Sequence, residues 1–145
     1  MKKAIGFLIA VVIIVGYNYL SKSRTTNQEQ ILAKDGHQQI YDYFANKSSG
    51  KMVYLEAVVI NILSDDLYEP RHQRFIVELN NQLTVLVSHN IDLAPRVNAL
   101  SVGDSVIIVG QYEWNAKGGV IHWTHHDPHG FRQGGKIIHK GITYE

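Results

Sequence analysis

The sequence predicts a mainly β protein, a five-stranded OB-like Greek-key barrel preceded by an N-terminal transmembrane or signal helix and a short amphipathic helix. Three observations predict it. Residues 4–17 form an uninterrupted apolar run behind Lys2 and Lys3. From Met52 onward the apolar residues take the alternation of strands. The five stretches so marked come as a three-stranded meander, a longer excursion and a final hairpin, which is the strand order of that barrel. The span 52–124 suits it better than a seven-stranded sandwich of about 100 residues, and an open β-sandwich is the main competitor.

The first element is Ala4 to Leu20, 17 residues with Asn18 the single polar interruption. That is the low end of the roughly 17–25 residues that span a bilayer. It is also long for a cleavable signal core, and bulky Tyr17, Asn18, Tyr19 and Leu20 fill the zone where a signal peptidase needs small residues, so an uncleaved anchor is preferred to a signal peptide. Residues 21–27 read as a polar linker. Asn27 then has the place of a helix cap with Gln30 at capping-box spacing, and Ile31, Leu32, Ile40, Tyr41 and Phe44 follow at helical intervals, with Gly36 weakening the middle, to an end near Asn46. The strands are read as Val53 to Leu63, His72 to Leu79, Leu83 to Ser88, Ser105 to Tyr112 and Gly119 to Thr124. Turns are expected at Ser64 to Asp66, Asn80 to Gln82 and Asn115 to Gly118, and a short helix within 91–97. The domain plan is an anchor or signal over 1–20, a linker and short helix over 21–51, and the barrel with a histidine-rich C-terminal segment over 52–145.

Composition excludes several functions. There is no cysteine, and so no disulfide, thiolate zinc site or cysteine nucleophile. The 14 Lys and Arg less Lys2, Lys3 and Lys22 leave 11 against 13 carboxylates beyond residue 23, which argues against a broad basic face for nucleic acid and still allows a local basic pocket. Phosphate-loop, G-x-S-x-G, H-E-x-x-H and deaminase motifs are absent from the sequence.

In the predicted barrel the first strand runs antiparallel to the second and fourth, and the third parallel to the fifth. One rim then gathers Asp65, Asp66, Arg71, His72, His89, Asn90, Asp92, His122, His125, His126 and Asp127. Five of the eight histidines fall within residues 122–139. Neutral imidazole is a common ligand of divalent ions, so His122, His125 and His126 are the candidate metal ligands, zinc first, with His72 or His89 completing the shell. A hydrogen-bonded turn without an ion is the alternative. Arg71, His72, His89, Asn90, Trp123 and Asp127 are the candidate ligand-binding residues. Arg71 suits a phosphate or carboxylate, or else pairs with Asp65 or Asp66 across its own loop. Asn90 or Asp92 suits a helix cap. Trp114 and Trp123 suit barrel packing better than stacking on bases or sugars.

The strings DDLYEPRHQRFIVEL, LVSHNIDLAPRV, GDSVIIVGQYEWNAKGGVIHWTHHDPHG and KGITYE resemble the bacterial domain-of-unknown-function family numbered 3465, over roughly Val58 to Glu145. That resemblance implies a short protein with an N-terminal hydrophobic segment and an envelope location, and it carries over no catalytic residue. The family pattern often has a histidine near Gln133 and a tryptophan near Lys136, and this chain has neither. The expected function is a binding domain on the bacterial inner membrane, single-pass and facing the periplasm or exterior, or secreted if the segment is cleaved. Its rim would take a small anionic or oligomeric ligand with a divalent ion. A metal-dependent phosphodiesterase or nuclease, and a structural partner in an envelope complex, are the alternatives.

Overall fold

The computed structural model describes residues 13–22, 35–80 and 82–145. The chain forms two compact units, Met1–Leu32 and Ala33–Glu145. In the first, residues 13–22 are helical (α1), with Ile13, Ile14, Val15, Tyr17, Tyr19 and Leu20 all more than half exposed. Among the described residues no helix is long and apolar enough to cross a membrane. Residues 4–12 of the expected anchor, and the expected Asn27 cap, lie outside the described residues.

The second unit is a closed five-stranded mixed barrel with two extra strands, preceded by helix α2 over 35–45. Its strands are β1 (Lys51–Ile62), β2 (His72–Glu78), β3 (Thr84–Asn90), β4 (Ser105–Glu113), β5 (Val120–His122), β6 (Lys136–His139) and β7 (Ile142–Tyr144). The ring closes in the order β1-β2-β3-β5-β4 and back to β1, every pair antiparallel except β3 with β5. β1 serves two partners: residues 51–58 pair β4, residues 58–62 pair β2, and the register slips between Val59 and Asn61. Such a bulge bends a strand, which lets one long strand turn the corner of a small barrel. Alternate residues point inward, so Val53, Leu55, Ala57, Val59, Phe75, Val77, Val85, Val87, Ile108, Tyr112 and Ile121 build one core.

Helix α2 covers the lower end of the barrel. Ile40 is fully buried in the core and Tyr43 packs near Tyr112, ring centroids 6.1 Å apart. The glycine that weakens this helix in the sequence has a reason: a Cβ at Gly36 would lie 1.9 Å from the Tyr54 carbonyl oxygen. His37 secures the approach. Its Nδ1 accepts the Asn80 backbone N–H at 3.3 Å, so Nε2 carries the proton and donates to the Glu56 carbonyl at 2.7 Å. The helix ends in a left-handed turn: Lys47 takes φ +52°, its N–H donates to the Phe44 carbonyl at 3.2 Å, and the Ser48 N–H donates to the Tyr43 carbonyl at 2.8 Å.

Three expectations need correction. β5 ends at His122, two residues early, because Trp123 takes φ +56° and leaves the strand. Residues 91–97 form turns, with no helix. β6 and β7 were not foreseen. β6 takes up the edge of β4 where β5 leaves it: β5 pairs residues 111–113 and β6 pairs 106–109. The two are one interrupted strand, and residues 123–135 loop out between them. The loop's neck crosses β4 so closely that a Cβ at Gly110 would meet the His122 carbonyl oxygen at 2.7 Å, and one at Gly135 the Trp123 carbonyl oxygen at 2.0 Å.

Candidate functional site

The upper end of the barrel is closed by the excursion between β3 and β4. Residues 91–104 have no ladder of their own, and buried backbone groups need partners. Gln73 lies in the inward register of Phe75 and Val77. It is 1% exposed, donates from Nε2 to the Val97 carbonyl at 3.0 Å and accepts the Val97 N–H on Oε1 at 2.9 Å. His89, in the inward register of Val85 and Val87, is fully buried. Its Nε2 donates to the Pro95 carbonyl at 3.0 Å, which leaves Nδ1 to accept from the Thr124 hydroxyl at 2.8 Å. Asn90 Oδ1 caps the turn by accepting the Asp92 and Leu93 N–H groups.

Ion pairs stitch the same region from outside. Arg71 joins Asp92 rather than Asp65 or Asp66, with an Nη2 to Oδ1 distance of 2.6 Å, and its backbone N–H also donates to Asp92. Asp92 is held below the usual carboxylate range, first by the Arg71 N–H and then by its guanidinium. Asp65 takes two hydrogen bonds from Arg96, at 2.8 and 3.2 Å. Arg74 donates twice to the Ser64 carbonyl.

The loop 123–135 carries its own scaffold. The Asp127 carboxylate accepts the N–H groups of His129, Phe131 and Arg132. Burial alone would raise its pKa, but those three bonds hold it low. The Arg132 guanidinium lies 4.0 Å from the Trp123 ring centroid and donates to Gln111 Oε1. Trp123 also contacts His125, centroids 4.6 Å apart, and donates from Nε1 to the Gln133 carbonyl. Its ring is thus occupied by the protein's own groups.

The topology brings His72, His89 and His125 of the predicted rim together, and leaves His122 and His126 apart from them. His72 and His125 both stand near enough to His89 to disfavour its charge, and burial, the larger cause, also lowers its pKa. His125 is 2% exposed, lowered chiefly by burial, and its Nδ1 donates to the His126 carbonyl at 2.7 Å. His122 turns elsewhere, its Nε2 3.4 Å from Glu113 Oε1 on the outer face. His126 is exposed. Among the described residues no group of three or more His, Asp or Glu is placed to hold a metal ion. Gln73, Thr124 and Arg96 are the members of this network that the sequence reading missed. Gln73 had a signal, a polar residue at a core position of a strand.

What remains open lies outside the ring. A cleft of about 610 Å³ is lined by Asp65, Asp66, Leu67, Tyr68 and Arg74. Tyr68 is 88% exposed and Leu67 71%. Arg74 points outward beside Ser88, its partner on β3, and continuing the β3–β5 register by one residue sets Ser88 beside His122. Gln111, the partner of His122, extends the row to β4. The next row is apolar, Ile76, Leu86 and Val120.

A family model described as protein of unknown function (DUF3465) matches residues 22–145. No curated protein and no solved structure matches the chain.

Proposed function

The chain belongs to the DUF3465 family of proteins of unknown function, and from that premise and the geometry above we propose that it is a binding module of OB-like, Greek-key design for a polyhydroxylated oligomer, an oligosaccharide. The observation that carries the reading is the outward cleft between the β1–β2 loop and β2. It offers an exposed ring and aliphatic side chain, Tyr68 and Leu67, beside two aspartates and an arginine already fixed by Ser64. Sugar rings present apolar faces to such a ring and hydroxyls to such polar groups. OB-folds use this face and this loop for oligonucleotides and oligosaccharides, an analogy from fold. Charge favours the sugar. Arg71 and Arg96 are neutralised by Asp92 and Asp65, so the cleft is not basic enough for a polyanion.

The exposed apolar side chains of α1 support a place for the first unit in a membrane, with the barrel on the periplasmic or outer side. The test is amide-resolved NMR titration of the full chain in detergent with a chitotetraose and with an eight-residue oligothymidylate. Shifts at residues 65–68 and 74 with the sugar alone are expected. Tyr68→Ala should weaken binding ~10-fold, about 1.4 kcal/mol. Binding of the oligothymidylate in place of the sugar would overturn the assignment, as would no response to either.

A further inference from the structure

The barrel carries a second cleft on another face. Residues Tyr54 of β1, Val109 of β4 and Lys136 of β6 are successive partners across the sheet, and Glu145 follows Tyr144, which pairs Ile137. These four and His126, Gln133, Gly134 and Gly135 from the loop line a cavity of about 400 Å³. Val109 is its floor. It faces outward by register and is still only 8% exposed. The loop 123–135 therefore roofs what would otherwise be bare sheet.

The polar groups of this cavity are unlike those of the upper end, where nearly every side chain is engaged. Among the described residues neither the Lys136 ammonium nor the Glu145 carboxylate takes part in an ion pair or side-chain hydrogen bond. Lys136 opens β6 and Glu145 follows the end of β7, so continuing the register sets them opposite each other, where opposite charges ordinarily join. Here they remain apart at the edge of one cavity. The His126 ring and the Gln133 side-chain amide also line it with no side-chain hydrogen bond among the described residues.

We propose that this cavity binds a small zwitterion, an α-amino acid or the amino-carboxylate end of a short peptide, with the ligand's carboxylate on Lys136 and its ammonium on Glu145. An anion alone would leave Glu145 facing its charge, and a cation alone would leave Lys136 in the same position. A zwitterion satisfies both. Gln133 and His126 offer further hydrogen bonds, and Val109 gives the cavity floor an apolar contact for a small aliphatic side chain. The cavity is large enough for one amino acid and small for a folded partner.

The site is independent of the proposed sugar cleft, since it shares no residue with it. The test is amide-resolved NMR titration of the full chain in detergent with alanine of either hand, alanyl-alanine, and the half-ligands acetate and methylamine. Saturable shifts at Gly134, Gly135 and Lys136 with a zwitterion are expected, and none at the same concentration of either half-ligand. Lys136→Met and Glu145→Gln should each weaken binding at least tenfold with melting unchanged, both being surface positions. Alanine against alanyl-alanine separates a free amino acid from a peptide end. No saturable shift with any zwitterion at 50 mM overturns the site, as does an equal response to acetate, or binding unaffected by both variants. Shifts confined to residues 65–74 would leave the sugar cleft standing and this one refuted.

Discussion

Replacing Gln73 by leucine removes both hydrogen bonds to Val97 while keeping much the same buried volume. Val97 is fully buried and Gln73 1% exposed, so no water reaches the orphaned N–H and C=O. Each unsatisfied buried group costs about 1–3 kcal/mol, and the pair therefore about 2–6 kcal/mol. The added apolar side chain offsets part of that, leaving ~2–4 kcal/mol. For a domain of this size that is a drop in Tm of roughly 8–16 °C. Hydrogen exchange gives the local readout, because loss of the Val97 amide's protection should exceed that of the Phe75 and Val77 amides. Gln73→Glu supplies a second arm. The carboxylate keeps an acceptor for the Val97 N–H and loses the donor to its carbonyl. Its melting should therefore be worst near neutral pH and partly recover in acid, where a protonated carboxyl donates again, relative to wild type at the same pH. Melting of Gln73→Leu within 2 °C of wild type, with the Val97 amide still fully protected, would refute the clasp as what closes the barrel end.

Three further outcomes are expected. Stability should decline as pH falls below about 6.5: His89 and His125 are held below the usual imidazole value, so the unfolded chain takes up protons that the folded one resists. Asp92, Asp104, Glu113 and Asp127, all held low when folded, extend the loss through the carboxylate range, and a melting temperature flat from pH 7.5 to 5 would contradict the histidine part. Gly36→Ala should destabilise by about 1–3 kcal/mol, the cost of overpacking, although alanine is the better helix former, because the new Cβ meets the Tyr54 carbonyl; a stabilised variant would show that α2 does not pack so closely. Since no three His, Asp or Glu among the described residues are placed to hold an ion, zinc, manganese or nickel at neutral pH should leave Tm unchanged against chelator, and a shift of several degrees abolished by a His125→Ala, His126→Ala double variant would support an ion at those positions.

The barrel was legible because its cause is local. Strand alternation and turn residues mark β1 to β4 within a residue or two, and the pairing rules of five such strands then dictate which ends meet. What escaped was set by tertiary packing. Lys136–His139 and Ile142–Tyr144 are too short to show a period, and they are strands only because β4 offers them an edge that β5 vacates. Trp123 gives no sign in the sequence of its positive φ; the turn comes from the neck of the loop, where Gly110 and Gly135 let backbones nearly touch. Gly36 was visible as a flaw in a helix, and only the carbonyl of Tyr54 explains it.

The rim was harder, since a polar cluster at a barrel mouth has two causes that composition does not separate. A mouth must be stoppered, and the chain that stoppers it brings backbone donors and acceptors that need partners inside the protein. A ligand site needs the same residue types facing out. Strand register separates them. Residues that continue the inward set, Gln73 after Phe75 and Val77, and His89 after Val85 and Val87, have no route to solvent and serve the stopper. Their neighbours in the outward set, His72, Arg74 and Ser88, lie on the face a ligand can reach. Arg71, Asn90 and Asp127 sit beyond strand ends, where register no longer decides. Their partners do: Arg71 pairs with Asp92, Asn90 Oδ1 accepts the Asp92 and Leu93 amides, and the Asp127 carboxylate accepts the amides of His129, Phe131 and Arg132. Of the six candidate ligand-binding residues, His72 thus keeps an outward place with no side-chain hydrogen bond among the described residues, and Arg74, two residues on, shares its face and lines the cleft.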